Sequence, residues 1–363
     1  MTTRMRAIVA RSFRIAVFAS NAPAAIVAAQ TPRAVPSLSY THPQQLVATD
    51  GKRRLNLFCL GTGSPTVLLD AGAGENMMVW RHVQGEIASV TRTCSYDRAG
   101  YGFSDPSTRP SDARNAVRDL HRLVQAAIRA PVVYVGHSVA GLYGALLVAT
   151  HPQDVAGAVL VDPAFAHQWQ KATATFIHGE MEQWSTGFRQ ALAGIRTCLD
   201  LARAGALVKP TTKAASGCID TKGYAEDVDD ILRRELERQY AQPKVFSAAL
   251  SEYGSFWPEG DQMTNADDRQ LDASGVITFG DRPLVVLTRG KTQPIPGIAR
   301  EHMTASDAAW SAGHAALART STRGTNIVVQ GAAHHIQFDQ PKAVIDAVQR
   351  VVDDVRRGVP QDR

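Results

Sequence analysis

Short apolar runs bounded by glycine, proline and polar residues recur along the chain, at about Gln45 to Ala48, Leu55 to Leu60, Val67 to Asp70, Thr93 to Tyr96, Val132 to Val135, Ala158 to Val161, Leu284 to Leu287 and Ile327 to Val329. Each has the length and composition of a strand. Helical stretches separate most of the later runs. Ser111 to Ile128 shows the pattern clearly, with Ser111 placed to cap it and Val117, Leu120, Leu123, Val124 and Ile128 at helical spacing. Alternation of this kind predicts an α/β fold, a mostly parallel eight-stranded sheet with helices on both faces. Between residues 164 and 281 the alternation stops. Amphipathic helical patterns, notably Asp227 to Tyr240, and the aromatics Trp169, Phe176, Trp184, Phe188, Phe246, Tyr253, Phe256 and Trp257 replace it. The expected organisation is a core of residues 44–163 and 282–363 with a helical cap inserted at 164–281. The cap aromatics line a ligand pocket or form the cap's own small core.

One strand ends unusually. Val132 to Val135 runs into Gly136-His137-Ser138-Val139-Ala140-Gly141, and a serine between a buried strand and a helix must sit on a sharp turn that leaves room only for small neighbours two before and two after it. Those neighbours are Gly136 and Ala140; alanine departs from the usual second glycine, and Gly141 follows at once. A serine hydroxyl is a poor nucleophile without a base, and imidazole has the pKa for that task. His334, in Gly331-Ala332-Ala333-His334-His335-Ile336-Gln337-Phe338-Asp339-Gln340-Pro341 after the last strand, is the candidate base. His335 and His137 are neighbours expected to point elsewhere.

With two further segments, Tyr96-Asp97-Arg98-Ala99-Gly100-Tyr101-Gly102-Phe103-Ser104 and Leu68-Leu69-Asp70-Ala71-Gly72-Ala73-Gly74, the chain resembles the α/β-hydrolase superfamily over residues 44 to 357. The resemblance implies a Ser-His-acid triad of Ser138, His334 and a carboxylate after the sixth or seventh strand. Lys291-Thr292-Gln293-Pro294 follows the seventh strand, with no carboxylate until Glu301 and Asp307. Asp162 stands at the tip of the sixth, in a Val161-Asp162-Pro163-Ala164 context similar to that of pancreatic-type lipases. Asp162 is therefore favoured and Asp307 is the alternative. The resemblance also implies an oxyanion hole from the Val139 and Gly72 N–H groups, with Ala73 a near alternative. The implied reaction is hydrolysis of a small-molecule ester with an apolar acyl or aromatic part and no cofactor. Amide, lactone or carbon–carbon cleavage on the same residues, and a non-catalytic ligand receptor, stay open. Serine rather than aspartate at the turn argues against haloalkane dehalogenase or epoxide hydrolase chemistry.

Residues 1–29 begin with Arg4, Arg6, Arg11 and Arg14 and no acid, continue through a small apolar stretch and end Val27-Ala28-Ala29. This fits a secretory signal and a secreted or periplasmic mature chain. Asn21 and Pro23 interrupt the apolar stretch and leave a cytoplasmic chain with a disordered leader as the alternative. Residues 30–43, with Pro32, Pro36 and Pro43, read as a linker or arm. An even count of four cysteines behind such a leader permits two disulfides. Because the superfamily's second and fourth strands are neighbours, the resemblance pairs Cys59 with Cys94, leaving Cys198 for Cys218. Cysteine spacing offers no metal-ligand pair, so no metal is expected. With 44% hydrophobic and 20% charged residues the composition is that of an ordinary globular protein. A formal charge of +5 without a basic run gives no support to nucleic-acid binding, and no segment makes a convincing membrane span.

Overall fold

Strands β1 (Gln45–Asp50), β2 (Arg53–Leu60), β3 (Thr66–Asp70), β4 (Thr93–Tyr96), β5 (Val132–His137), β6 (Val155–Val161), β7 (Leu284–Arg289) and β8 (Gly324–Val329) form one sheet in the order β1-β2-β4-β3-β5-β6-β7-β8. The computed structural model describes residues 34–219, 228–258 and 263–358. Pairing is antiparallel for β1 with β2 and β2 with β4, and parallel from β4 onward. All eight expected runs lie in strands of this sheet, which has the α/β-hydrolase architecture.

The sheet is buried on both faces because its central strands are apolar at successive positions. Side chains alternate across the sheet. Leu68, Tyr134, Leu160 and Val286 enter one core, while Val67, Leu69, Val133, Val135, Val159, Val161, Val285 and Leu287 enter the other. The first core is closed by helices Ala113–Leu123 and Ala140–Thr150, the second by helix Pro341–Gly358. In that last helix Val344, Ile345, Val348, Val351, Val352 and Val355 recur three or four apart and form one buried stripe. Burying each of these side chains contributes about 1.5–3 kcal/mol.

Two helix boundaries differ from the sequence pattern. The first helix after β4 is capped by Asp112, whose carboxylate accepts the Asn115 N–H at 2.9 Å, rather than by Ser111. Its α-helical part stops at Leu123 and the expected remainder, Val124–Ile128, is a wider π-type turn. The second helix spans Asp230–Tyr240 with Asp229 as its cap; the expected start at Asp227 lies outside the described residues.

Between β6 and β7 the described residues form helices Gln168–Ala172, His178–Arg203, Lys213–Cys218, Asp230–Tyr240, Pro243–Phe256 and Ala266–Asp272. His178–Arg203 and Pro243–Phe256 meet through Leu199, Ala202 and Phe246. At the other end of the chain, the expected signal segment lies outside the described residues, as do residues 30–33. The described part of the arm packs Val35 and Tyr40 against Phe58, Met77, Met78, Leu232 and Leu236. Among the described residues no helix is long and apolar enough to cross a membrane.

Two disulfides join Cys59 to Cys94 and Cys198 to Cys218. Cys59 and Cys94 stand directly opposite one another in the β2–β4 register, so the bridge ties the antiparallel edge to the parallel body. It closes a loop of 35 residues, for which chain entropy gives about 4 kcal/mol. Replacing both cysteines by serine is therefore expected to lower unfolding free energy by about that amount in urea titration. A loss below about 1 kcal/mol would show that the loop is restrained without the bridge.

Candidate active site

The chain leaves β5 through Ser138, which adopts a left-handed backbone conformation with φ of 54°. Such a conformation is strained for a residue with a side chain and persists only where the surroundings enforce it. Here they do. The Ser138 N–H donates to the Val161 carbonyl at 3.1 Å, and its own carbonyl accepts from Gly141 at 2.8 Å and Ala164 at 2.7 Å. Helix Ala140–Thr150 then starts hard against the turn after β6. A Cβ on Gly141 would lie 2.4 Å from Pro163 Cβ, so glycine is needed there, while Ala140 fits buried in its place. This accounts for the displaced second glycine of the motif.

The neighbouring strand ends the same way, at Asp162, with φ of 40° and no exposure. Its carboxylate receives four donors. Oδ2 accepts from His334 Nδ1 at 2.6 Å and from the Arg289 guanidinium at 3.0 Å; Oδ1 accepts from the Arg289 N–H at 3.0 Å and Trp310 Nε1 at 3.0 Å. Burial alone favours the neutral acid, but the hydrogen bond and charge of His334 and the Arg289 guanidinium outweigh it and hold the group well below the usual carboxylate range. Since the carboxylate can only accept, Nδ1 of His334 carries the proton and Nε2 presents a lone pair. Burial pushes the His334 pKa down from its ordinary value despite the pull of Asp162, which favours the neutral ring. Asp307, the alternative acid, contacts the far side of Arg289 at 3.3 Å and makes no hydrogen bond to His334.

Ser138 and His334 line one cavity of about 860 Å³. No hydrogen bond joins the serine hydroxyl to the ring among the described residues, as is common in ligand-free sites of this chemistry. The cavity is walled by Trp169, Trp184, Tyr253, Phe256, Trp257 and Trp310, five of them from the stretch between β6 and β7.

The anticipated Gly72 donor is otherwise engaged. Its N–H donates to Glu75 Oε2 at 2.7 Å, which corrects the assignment of this group to an oxyanion hole. The Ala73 N–H, one residue on in the same cavity wall, has no protein acceptor among the described residues; neither does the Val139 N–H at the start of the helix. The loop holding Ala73 is fixed from behind. Arg98 donates to the Ala71 carbonyl at 2.6 Å, to the Gly72 carbonyl and to Asp70 Oδ1 at 2.9 Å. Glu252, from helix Pro243–Phe256, accepts from Arg98 at 3.1 Å, Tyr101 at 2.7 Å, Tyr143 at 3.1 Å and the Gly74 N–H at 2.8 Å.

His137 turns away from the serine. Its Nε2–H donates to the His334 carbonyl at 3.1 Å, and Nδ1 lies 3.2 Å from Glu75 Oε2. His335 Nε2 meets Glu75 Oε1 at 2.7 Å. Opposing the burial that disfavours its charge, the two histidines and their hydrogen bonds hold Glu75 well below the usual carboxylate range.

A model of the alpha/beta hydrolase family matches residues 67–347, which is more than half of the chain. The chain belongs to the alpha/beta hydrolase family. Among curated proteins it is similar to the uncharacterized protein YqjL of Bacillus subtilis (strain 168), at 32% identity over 127 residues, 35% of this chain and 49% of that protein. It is also similar to a probable esterase of Oryza sativa subsp. japonica, at 29% over 102 residues, 27% of this chain and 38% of that protein. The chain thus spans half or less of the length of these relatives. The crystal structure of DBJA superposes with a TM-score of 0.59 at 16% identity, covering 86% of this chain and 98% of that one, which bears on the fold alone.

Of the expected site residues of this hydrolase-family chain, Asp162 and His334 are brought into direct contact, with Ser138 in the same cavity. Glu75, Arg289, Trp310 and Glu252 were not anticipated. The one signal that pointed to Glu75 is its place as the sole acid following Ala71-Gly72-Ala73-Gly74. Glu252 carried none, since its four partners lie 109 to 178 residues away. Replacing Glu252 by alanine strands the buried Arg98 charge with Asp70 as its remaining carboxylate, and is expected to cost about 3–5 kcal/mol in urea unfolding. A cost under 1 kcal/mol would mean that water replaces the lost carboxylate.

Proposed function

We propose that this protein is a serine hydrolase that cleaves carboxylic esters. The observation that carries the reading is the 2.6 Å contact of His334 Nδ1 with the buried, ionised Asp162, which leaves a neutral Nε2 in the cavity that Ser138 lines. In the reaction, Ser138 Oγ attacks the ester carbonyl carbon while His334 Nε2 takes its proton. The carbonyl oxygen becomes an oxyanion, held by the Val139 and Ala73 N–H groups. Asp162 stabilises the imidazolium. Its proton then passes to the leaving alkoxide, the alcohol departs, and an acyl-serine remains. Water, deprotonated by His334, attacks that acyl group; the carboxylic acid leaves and Ser138 regains its proton.

The aromatic cavity walls favour an ester with an apolar acyl chain or an aromatic ring over a charged substrate. Trp169, Trp184, Phe256 and Trp257 come from residues 164–281, which we read as a cap over the site. Residues 1–29 we read as a secretory signal, consistent with two disulfides that form where the environment is oxidising.

Hydrolysis of a p-nitrophenyl ester series from acetate to palmitate is the test. Ser138→Ala is expected to lower kcat roughly 10⁶-fold and Asp162→Asn roughly 10⁴-fold. Full activity in Ser138→Ala, or no turnover of any ester by the parent, would refute the reading. The acid limb of kcat/KM reports the free enzyme's base. Because His334 is neutral when active and burial lowers its pKa, that limb is expected below the ordinary histidine value; a limb above it would contradict the lowering.

A further inference from the structure

Most polar groups along the aromatic wall of the cavity are engaged. Trp169 Nε1 donates to the Phe256 carbonyl at 2.9 Å, Trp310 Nε1 to Asp162 Oδ1 at 3.0 Å and the Tyr253 hydroxyl to the Ala73 carbonyl at 2.9 Å. Three buried side-chain atoms on cavity-lining residues have no partner among the described residues: Gln168 Nε2, Trp184 Nε1 and Arg289 Nε. All three are donors. The rest of the Arg289 guanidinium is held by Asp162 and Asp307, which leaves Gln168 and Trp184.

Gln168 is the better fixed of the two. It is 2% exposed and opens the short helix Gln168–Ala172. Ala172, four residues on and hence on the same helix face, lines the cavity with it. Its N–H donates to the Phe165 carbonyl at 3.2 Å, and its Oε1 accepts the Phe165 N–H at 3.2 Å. Because that N–H needs an acceptor, the amide oxygen is placed there and the nitrogen is left with hydrogens to offer. Trp184 packs edge to face with Phe176 and Phe188, ring centroids 5.7 and 5.2 Å away, which supply π faces and no oxygen for its N–H.

Buried donors without acceptors are uncommon, and each calls for a partner. A wall with donors to spare fits a ligand that brings an oxygen. That oxygen is neutral: among the described residues Arg289 is already paired with two carboxylates and His335 with Glu75, so a buried carboxylate here would lack a countercharge. We propose that Gln168 is a specificity-determining donor, and that the ester taken by this site carries a second, neutral acceptor oxygen, of ether, ketone or ester type, in the part that rests against helix Gln168–Ala172. The inference rests on the ester reading and deepens it. Aromatic walls accept any apolar chain, whereas the Gln168 amide discriminates, because an all-methylene chain leaves its N–H unpaired.

The test is a double-mutant cycle between Gln168 and the substrate oxygen, read by binding so that it does not need turnover. Ser138→Ala is titrated with ethyl octanoate and with analogues in which one chain methylene at a time is replaced by an ether oxygen. Trp169, Trp184, Trp257 and Trp310 line the cavity, so tryptophan fluorescence reports occupancy. Gln168→Glu, which keeps the oxygen for Phe165 and turns the donor into an acceptor, and Gln168→Met, which removes both, are added to the same background. At one chain position the affinity ratio of ether ester to all-methylene ester is expected to fall about 10-fold or more in both Gln168 variants. An unchanged ratio at every position overturns the inference, as does a cavity that binds none of these esters. With Ser138 intact, esters that bind with the Gln168-dependent ratio and are not hydrolysed would sink the hydrolase reading alone; esters that are hydrolysed with no such ratio would sink this inference alone.

Discussion

The buried carboxylate of Asp162 is the interaction on which the rest of the site depends. An ion with no exposure is tolerable only when every lone pair is met by a donor or a positive charge. Meeting them recruits β7 through the Arg289 N–H, helix Arg300–Ala318 through Trp310, and the loop after β8 through His334. Three elements distant in sequence are thereby aligned on one point. Arg289 does double duty: its guanidinium lies over the Trp310 ring at 4.6 Å and bridges to Asp307, so Asp307 balances the charge behind Asp162.

A second buried ionic group governs the opposite wall. Arg98 and Glu252 have almost no exposure, and between them they hold the carbonyls of Ala71 and Gly72 and the N–H of Gly74. Both neighbours of Ala73 are thus fixed while its own N–H is left over. Because Glu252 belongs to helix Pro243–Phe256, the same contact anchors the helical segment to the loop that lines the cavity. Packing of that segment and geometry of the loop are consequently one problem rather than two.

Strands were legible in the sequence because a sheet covered on both faces needs uninterrupted apolar runs, and the residues that do so also alternate cleanly between the two cores. The turn at Ser138 was legible because strain and crowding restrict its neighbours to small residues. Gly72 shows where such reading stops. Backbone donors in a small-residue loop look alike in sequence, and only the fold shows that Glu75 takes the Gly72 N–H and leaves that of Ala73. The choice between Asp162 and Asp307 likewise turns on which one reaches His334, a matter of geometry. Glu252 was invisible for a simpler reason: no local pattern marks a glutamate in an amphipathic helix as the partner of an arginine more than 150 residues earlier.

The central claim is that Ser138 is a nucleophile activated by His334. Treatment of the protein with an alkyl fluorophosphonate, followed by intact-mass and peptide mass spectrometry, addresses it without knowledge of the substrate. One adduct per chain on Ser138, formed far more slowly in His334→Ala, is the expected result. No adduct in the parent, or an adduct on Ser138 that forms as fast without His334, would contradict it.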